Sequence, residues 1–359
     1  MRIFAAGLPL LLTLAAMGCA VTSGEAEDDA TASEDALTSY GVADLAPVAP
    51  PEHRVTTRRA PALLGPTLDG GRPFATIRTL TFEGKRARVV VDDRSLVTSV
   101  VEDEAFVAAT RPAAPTDDVE VSPYVQSLAA VASSGDALES LDREAPVAGA
   151  TEPFALTVDM CQSRKPWDRN LFEWAVRLSD QLREPVPVGI AVTGGWAKAH
   201  PGELETIVSW EREKKLAITW INHSSTHPLH CLDASCRRAE FLTARSVDFD
   251  EEVLGLERAL VARGLVPSVL FRFPGLVHDA ARLRQLARLS LMPLDADAWI
   301  AKGQPIKPFA VVLVHGNGNE PPGITGFLRQ ATDERRAAAL RAGTSALVSP
   351  LFVAPSPPR

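Results

Sequence analysis

From Phe154 onward the chain alternates between short apolar, β-branched runs and helix-length amphipathic segments, the pattern of βα units feeding a parallel sheet. The runs Phe154–Asp159, Val186–Gly194, Leu216–His223, Ser268–Pro274, Leu289–Asp295, Phe309–His315 and Ala346–Val353 predict strands. After the first, Leu171, Ala175, Leu178 and Leu182 fall on one face of a helix that Asp168 would cap and Pro185 would stop. The segment Asp248–Gly264 follows the same logic, with acidic residues early, Leu254, Leu256, Leu260 and Val261 at apolar positions, and Gly264 at its C-terminal end. About seven βα units, with no glycine fingerprint after the first strand, predict an α/β fold closed into a barrel rather than an open dinucleotide-binding sheet.

Upstream the pattern is less regular. Arg72–Val101 alternates as two or three strands would, and Ser122–Leu141 reads as a helix. This part shows no chemistry; it is either a small β-rich module or an elaboration of the main domain. The N-terminus runs from Arg2 through an apolar stretch, Ile3–Met17, to Gly18 and Cys19, which has signal-peptide length and is too short for a comfortable membrane span. Leu14–Cys19 resembles a lipobox, with Met17 an unusual residue in it, so Cys19 is the expected lipidation site; a plain secretory signal is the alternative. An acidic, Ser/Thr/Ala-rich tether follows. The division expected is 1–19 signal peptide, 20–55 linker, 56–150 N-terminal region and 151–356 main domain. The protein is expected to be an exported lipoprotein, membrane-anchored on the periplasmic or outer-membrane side, with secretion as second choice.

Charge and cysteine content sharpen this. A net charge of −8 argues against a nucleic-acid or anionic-membrane partner. Export implies an oxidising compartment, where Cys161, Cys231 and Cys236 can form one bridge; Cys231–Cys236 and Cys161–Cys231 are both allowed.

In a βα barrel, catalysis sits at the C-terminal strand ends. Polar residues collect there: Asp159 ends the first strand, His223 the third, Arg272 lies near the end of the fourth, Asp295 and Asp297 follow the fifth, and His315 ends the sixth. In "NHSSTHP" the His223-x-x-x-His227 spacing suits zinc or another divalent ion if the segment forms a helical turn. Asp159 is then the candidate general base for a metal-activated water, and His315, with imidazole's ordinary value near 6.5, the candidate acid. Arg272 needs a partner if buried, for which Asp295 or Asp297 is the candidate. Gly275 offers a backbone N–H to an oxyanion. Trp196 and Trp299 either wall a sugar cleft or simply pack.

These segments resemble the polysaccharide deacetylases, the NodB-like carbohydrate esterases of family 4, over about Phe154 to Val353. "TVDMC" stands where that family has T-F-D-D-G, "NHSSTHP" matches H-[ST]-x-x-H, "RFPG" resembles R-x-P-Y, and "DADAW" and "VVLVH" are similar to the last two motifs. The resemblance implies a distorted (β/α)7-type barrel preceded by a small N-terminal β-rich region. It implies Asp159 as base, His223 and His227 as ligands of zinc or another divalent ion, His315 as acid, and Arg272 with an aspartate near Trp299, such as Asp297, as support. The implied substrate is an acetylated polysaccharide, N- or O-deacetylated; a degenerate barrel that binds glycan without cleaving it is the alternative. The family's third metal ligand falls at Met160, whose thioether is a poor zinc ligand. Either two histidines and water suffice, or Asp168 or Cys161 substitutes, or metal and activity are lost. Gly275 stands at the family's tyrosine and removes an aromatic wall.

Overall fold

The computed structural model describes residues 39–48, 54–57, 59–111, 122–143, 149–236 and 238–353. The expected signal peptide, Cys19 and most of the linker lie outside these residues. Among those described, no helix is long and apolar enough to cross a membrane.

The first strands are β1 (Val42–Pro47), β2 (Arg54–Thr57), β3 (Pro73–Phe82), β4 (Lys85–Asp92), β5 (Thr98–Glu102) and β6 (Thr110–Arg111). They form an antiparallel sheet in the order β5-β4-β3-β2-β6, with β1 also on β3. Helix α1 (Asp103–Ala109) leaves β5, and α2 (Pro123–Ser134) follows β6. Helix α2 ends where Gly135 turns left-handed at φ 76°, so the expected helix through Leu141 stops short. The residues beyond it, Leu138 and Ser140, instead make β-bridges to Leu294 and Ala310.

Next come β7 (Glu152–Met160), α3 (Arg169–Leu182), β8 (Val186–Val192), α4 (Gly194–Ala199), α5 (Pro201–Arg212) and β9 (Leu216–Asn222). A hairpin, β10 (His230–Cys231) with β11 (Ala239–Glu240), precedes α6 (Phe249–Val261), β12 (Pro267–Phe271), α7 (Ala280–Arg288), β13 (Met292–Pro293) and β14 (Ala298–Trp299). Last are β15 (Val311–His315), α8 (Pro321–Ala331), α9 (Glu334–Ala342) and β16 (Ser345–Leu347). The parallel strands run β13-β12-β9-β8-β7-β15-β14, with β16 beside the start of β7. The protein is therefore α/β, with a curled parallel sheet forming a half-barrel and an antiparallel sheet before it. The distorted barrel implied by the resemblance is present as this half-barrel, open between β13 and β14, which end the sheet and do not pair with each other. Both are only two residues long, and Leu138–Leu141 lies across the opening, bonded to Pro293, Asp295 and Phe309 through the backbone.

Period-two alternation assigns the faces of the strands. Phe154, Leu156, Val158 and Met160 of β7 pack in the helix-side core, while Ala155 joins Ala191, Ile221 and Val311 in the interior. Thr157 and Asp159 share the parity of Ala155 and so face inward. Within a parallel sheet covered by helices, continuous apolar runs such as β7 are expected, and a carboxylate in one needs a partner.

Candidate active site

The parallel register sets Asp159 of β7 beside His315 of β15. Two strands away on the other side, β9 ends at Asn222 and delivers His223, and the neighbouring β12 delivers Arg272, whose N–H donates to the Asn222 carbonyl at 2.8 Å. These four side chains are all buried. The sequence-predicted cluster of Asp159, His223, His227, Arg272 and His315 thus converges at the C-terminal strand ends.

Arg272 meets Asp159 directly, Nη1 donating to Oδ1 at 3.1 Å, while Nη2 donates to Thr157 Oγ1 at 3.1 Å and Nε to the Leu294 carbonyl at 2.5 Å. A fully buried guanidinium is tolerable only with its donors matched in this way. Neither Asp295 nor Asp297 provides the carboxylate expected for it. Asp295 gives Arg272 only its backbone carbonyl and pairs its side chain with His278 at 3.2 Å. Asp297 Oδ1 accepts the Val311 N–H at 2.8 Å.

The two metal-type histidines do not sit on a helical turn. His223–Pro228 is a loop in which Ser224 and His227 adopt φ of 70° and 50°. The left-handed residues are held locally: Ser224 N–H donates to Asn222 Oδ1 at 3.0 Å and His227 N–H to Ser224 Oγ at 3.1 Å. Glu252 of α6 clamps the tip, accepting the Thr226 N–H at 2.8 Å and its hydroxyl at 2.5 Å. The result sets the two imidazole rings 5.0 Å apart at 78°.

His223 Nδ1 donates to the Arg272 carbonyl at 2.8 Å, which leaves Nε2 as the lone-pair nitrogen, 3.8 Å from Asp159 Oδ2. His227 is fully buried, and neither ring nitrogen has a hydrogen-bond partner among the described residues. Burial pushes both histidines down to about 3, with His223 also disfavouring a charge on His227. Two neutral imidazoles, one with both nitrogens unsatisfied, beside a carboxylate fit a divalent cation. Cys161 Sγ completes a group whose ligand atoms all lie within 4.8 Å. That sulfur is disulfide-bonded, however, so only in the reduced state would it add a thiolate. Met160 is not near this chemistry, because its side chain packs on the helix side of the sheet.

Gly275 has φ 63°, and a Cβ there would stand 2.6 Å from the Phe241 ring. Phe241 in turn lies edge-on to His227, ring centroids 5.7 Å apart. Trp196 is a packing residue, fully buried and stacked on His200, whereas Trp299 lies 5.6 Å from His315. The hairpin after His227 is closed by Cys231–Cys236, the nearer of the two pairings the spacing allowed. Asp168, a substitute ligand on paper, accepts the Gly318 N–H at 2.9 Å instead of capping α3.

Sequence reasoning missed Glu252 and Glu320. Glu320 accepts from His315 Nδ1 at 2.7 Å and from Trp299 Nε1 at 3.0 Å. Neither glutamate carries a sequence signal, since one lies on a helix flank and the other in a loop.

No family model matches the chain. Solved structures similar to it include a family 4 carbohydrate esterase from Bacillus anthracis, 15% identical, covering 64% of this chain and 91% of that one at a TM-score of 0.41. Another is PdaA, a family 4 carbohydrate esterase of Bacillus subtilis, 16% identical over 63% and 86% at 0.41. A third is the chitin deacetylase of the fungus Colletotrichum lindemuthianum, 18% identical over 57% and 88% at 0.38.

Proposed function

We propose that the protein is an exported, metal-dependent hydrolase that removes acetyl groups from a cell-envelope or extracellular polysaccharide. The observation that carries the hydrolase reading is the buried pair of neutral imidazoles, His227 with two orphaned nitrogens, next to an arginine-held carboxylate. The acetylated-glycan substrate rests on the resemblance of the motifs.

His223 and His227 would hold the ion. When bound, zinc or a similar ion acidifies a water and polarises a carbonyl oxygen. Asp159 takes the proton of the attacking water as general base. Arg272 fixes the carboxylate's orientation through a guanidinium itself held by Thr157 and Leu294. His315, one strand over in register with Asp159, gives a proton to the departing sugar nitrogen or oxygen. The Gly275 N–H is assigned to the developing oxyanion.

Metal analysis and acetate release test this together. The wild type should bind one zinc or similar ion per chain, lost in His223→Ala and His227→Ala. Asp159→Ala should keep the metal and lower acetate release from acetylated chitooligosaccharides by about 10²- to 10⁴-fold. A wild type that stays metal-free after reconstitution yet binds oligosaccharide would replace this reading with a glycan-binding barrel. Unchanged turnover in Asp159→Ala would remove Asp159 from the mechanism.

A further inference from the structure

Glu320 is the N-cap of α8, a position where a carboxylate ordinarily accepts a backbone N–H from the second or third helical residue. It makes no such bond here. The next two residues are Pro321 and Pro322, which have no N–H to give, and the Gly323 N–H goes to the Glu320 carbonyl at 2.9 Å. The helix start is thereby stripped of donors that would compete for the side chain.

The connecting loop returns that side chain to the strand it left. Between His315 and Glu320 the chain reads Gly-Asn-Gly-Asn. Gly318 adopts φ 74°, and a Cβ there would lie 2.3 Å from the Pro166 carbonyl oxygen. Asn317 donates to the Cys161 carbonyl at 2.8 Å and is fully buried. So tight and anchored a turn places one oxygen of Glu320, Oε2, where it accepts from both His315 Nδ1 at 2.7 Å and Trp299 Nε1 at 3.0 Å. Trp299 is fixed from its other side by Lys302, whose ammonium stands 3.5 Å from the ring centroid.

The geometry points to Glu320 as the positioning residue of His315. A carboxylate accepts and does not donate, so the hydrogen in this contact belongs to His315 Nδ1. The ring is held with Nε2 as the nitrogen for proton transfer, and when Nε2 is protonated the carboxylate stabilises the imidazolium. In the acid step the Nε2–H bond breaks and a bond forms to the leaving sugar nitrogen or oxygen. The Nδ1–H stays on the ring, and Glu320 takes no proton. Trp299, sharing the same oxygen, limits the carboxylate to one orientation.

This inference rests on the proposed role of His315, and its test has one arm that needs no turnover. In full-length protein labelled with 15N-histidine, the neutral His315 ring, assigned by comparison with His315→Asn, should carry its proton on Nδ1. Glu320→Ala should move that proton towards Nε2, whereas Glu320→Gln, which keeps an acceptor oxygen, should retain it. For acetate release, Glu320→Ala should lower kcat by about 10- to 100-fold with little change in KM, with Glu320→Gln in between. An unchanged His315 tautomer in a natively folded Glu320→Ala protein overturns the assignment. If the wild type releases no acetate, the deacetylase reading fails while the tautomer still decides for or against Glu320.

Discussion

Asp159 and Met160 are neighbours in the chain but belong to different environments, one turned to the interior with Arg272 and the other into the helix-side core. The same alternation puts Cys161, one of the two substitutes weighed for Met160, within 4.8 Å of the ligand atoms of both histidines. Residue environments also set a titration away from the active site. Glu211, near the end of α5, lines a cleft of about 540 Å³ that also includes Tyr40, Trp220 and Arg263. Burial pushes its carboxyl up to about 7 from an ordinary 4.5, against the hydrogen bond from Trp220 Nε1 at 3.2 Å. The folded state then holds a proton that the unfolded chain releases between about pH 4.5 and 7, so stability falls as pH rises through that window. Glu211→Gln should flatten the slope by up to about 3 kcal/mol, read as the difference in urea-unfolding free energy between pH 5 and pH 8 for variant and wild type.

Elements were legible in proportion to their length. Strand β7 and helix α3 appear within a residue or two of their expected bounds, and α6 within three, because long periodic runs average over local exceptions. The strand expected over Leu289–Asp295 shrinks to the two residues of β13, β14 was not separable from loop, and the edge formed by Leu138–Leu141 was read as helix. A second element-level feature, equally silent in the sequence, is the pair Arg78 of β3 and Glu257 of α6. It is bidentate at 2.6 and 2.8 Å and fully buried, with Arg78 also donating to the Ile77 and Leu289 carbonyls. Removing one partner strands a buried charge, so Arg78→Met should cost about 3–5 kcal/mol in chemical denaturation, and the double variant Arg78→Met/Glu257→Leu should recover much of it. Equal losses in the single and double variants would show that the pair's cost lies in packing rather than charge.

Across the whole molecule, the antiparallel sheet and the parallel sheet share a core. Leu45, Ile77, Leu80, Val89 and Val100 lie in one apolar cluster with Ala155, Ile221, Val269 and Val311. Tyr124 of α2 donates its hydroxyl to the Ser290 carbonyl, and Thr98 Oγ1 donates to the Pro267 carbonyl at 2.8 Å. The N-terminal region, for which a separate module and an elaboration of the main domain were both expected, therefore covers apolar surface that the half-barrel alone would expose to water. Heating followed by near- and far-UV circular dichroism should give one coincident transition. Residues 151–356 expressed alone should fail to show that transition; a well-folded fragment would establish two independent units.

Periodicity in the sequence determined the α/β class, the βα order and the interior placement of Asp159, since these follow from side-chain direction along a strand and need no partner. The strand ends brought Asp159, His223, Arg272 and His315 together as expected, because parallel register aligns the ends of neighbouring strands. Tertiary structure alone decided the partners. Arg272 took Asp159 rather than a downstream aspartate, Glu320 took His315, Glu252 took the histidine loop, and Leu138–Leu141 lay across the sheet opening. Each of these joins residues distant in sequence or depends on a loop's exact course, and a hydrogen bond needs its donor and acceptor within a few tenths of an ångström, a requirement that residue type and spacing do not encode.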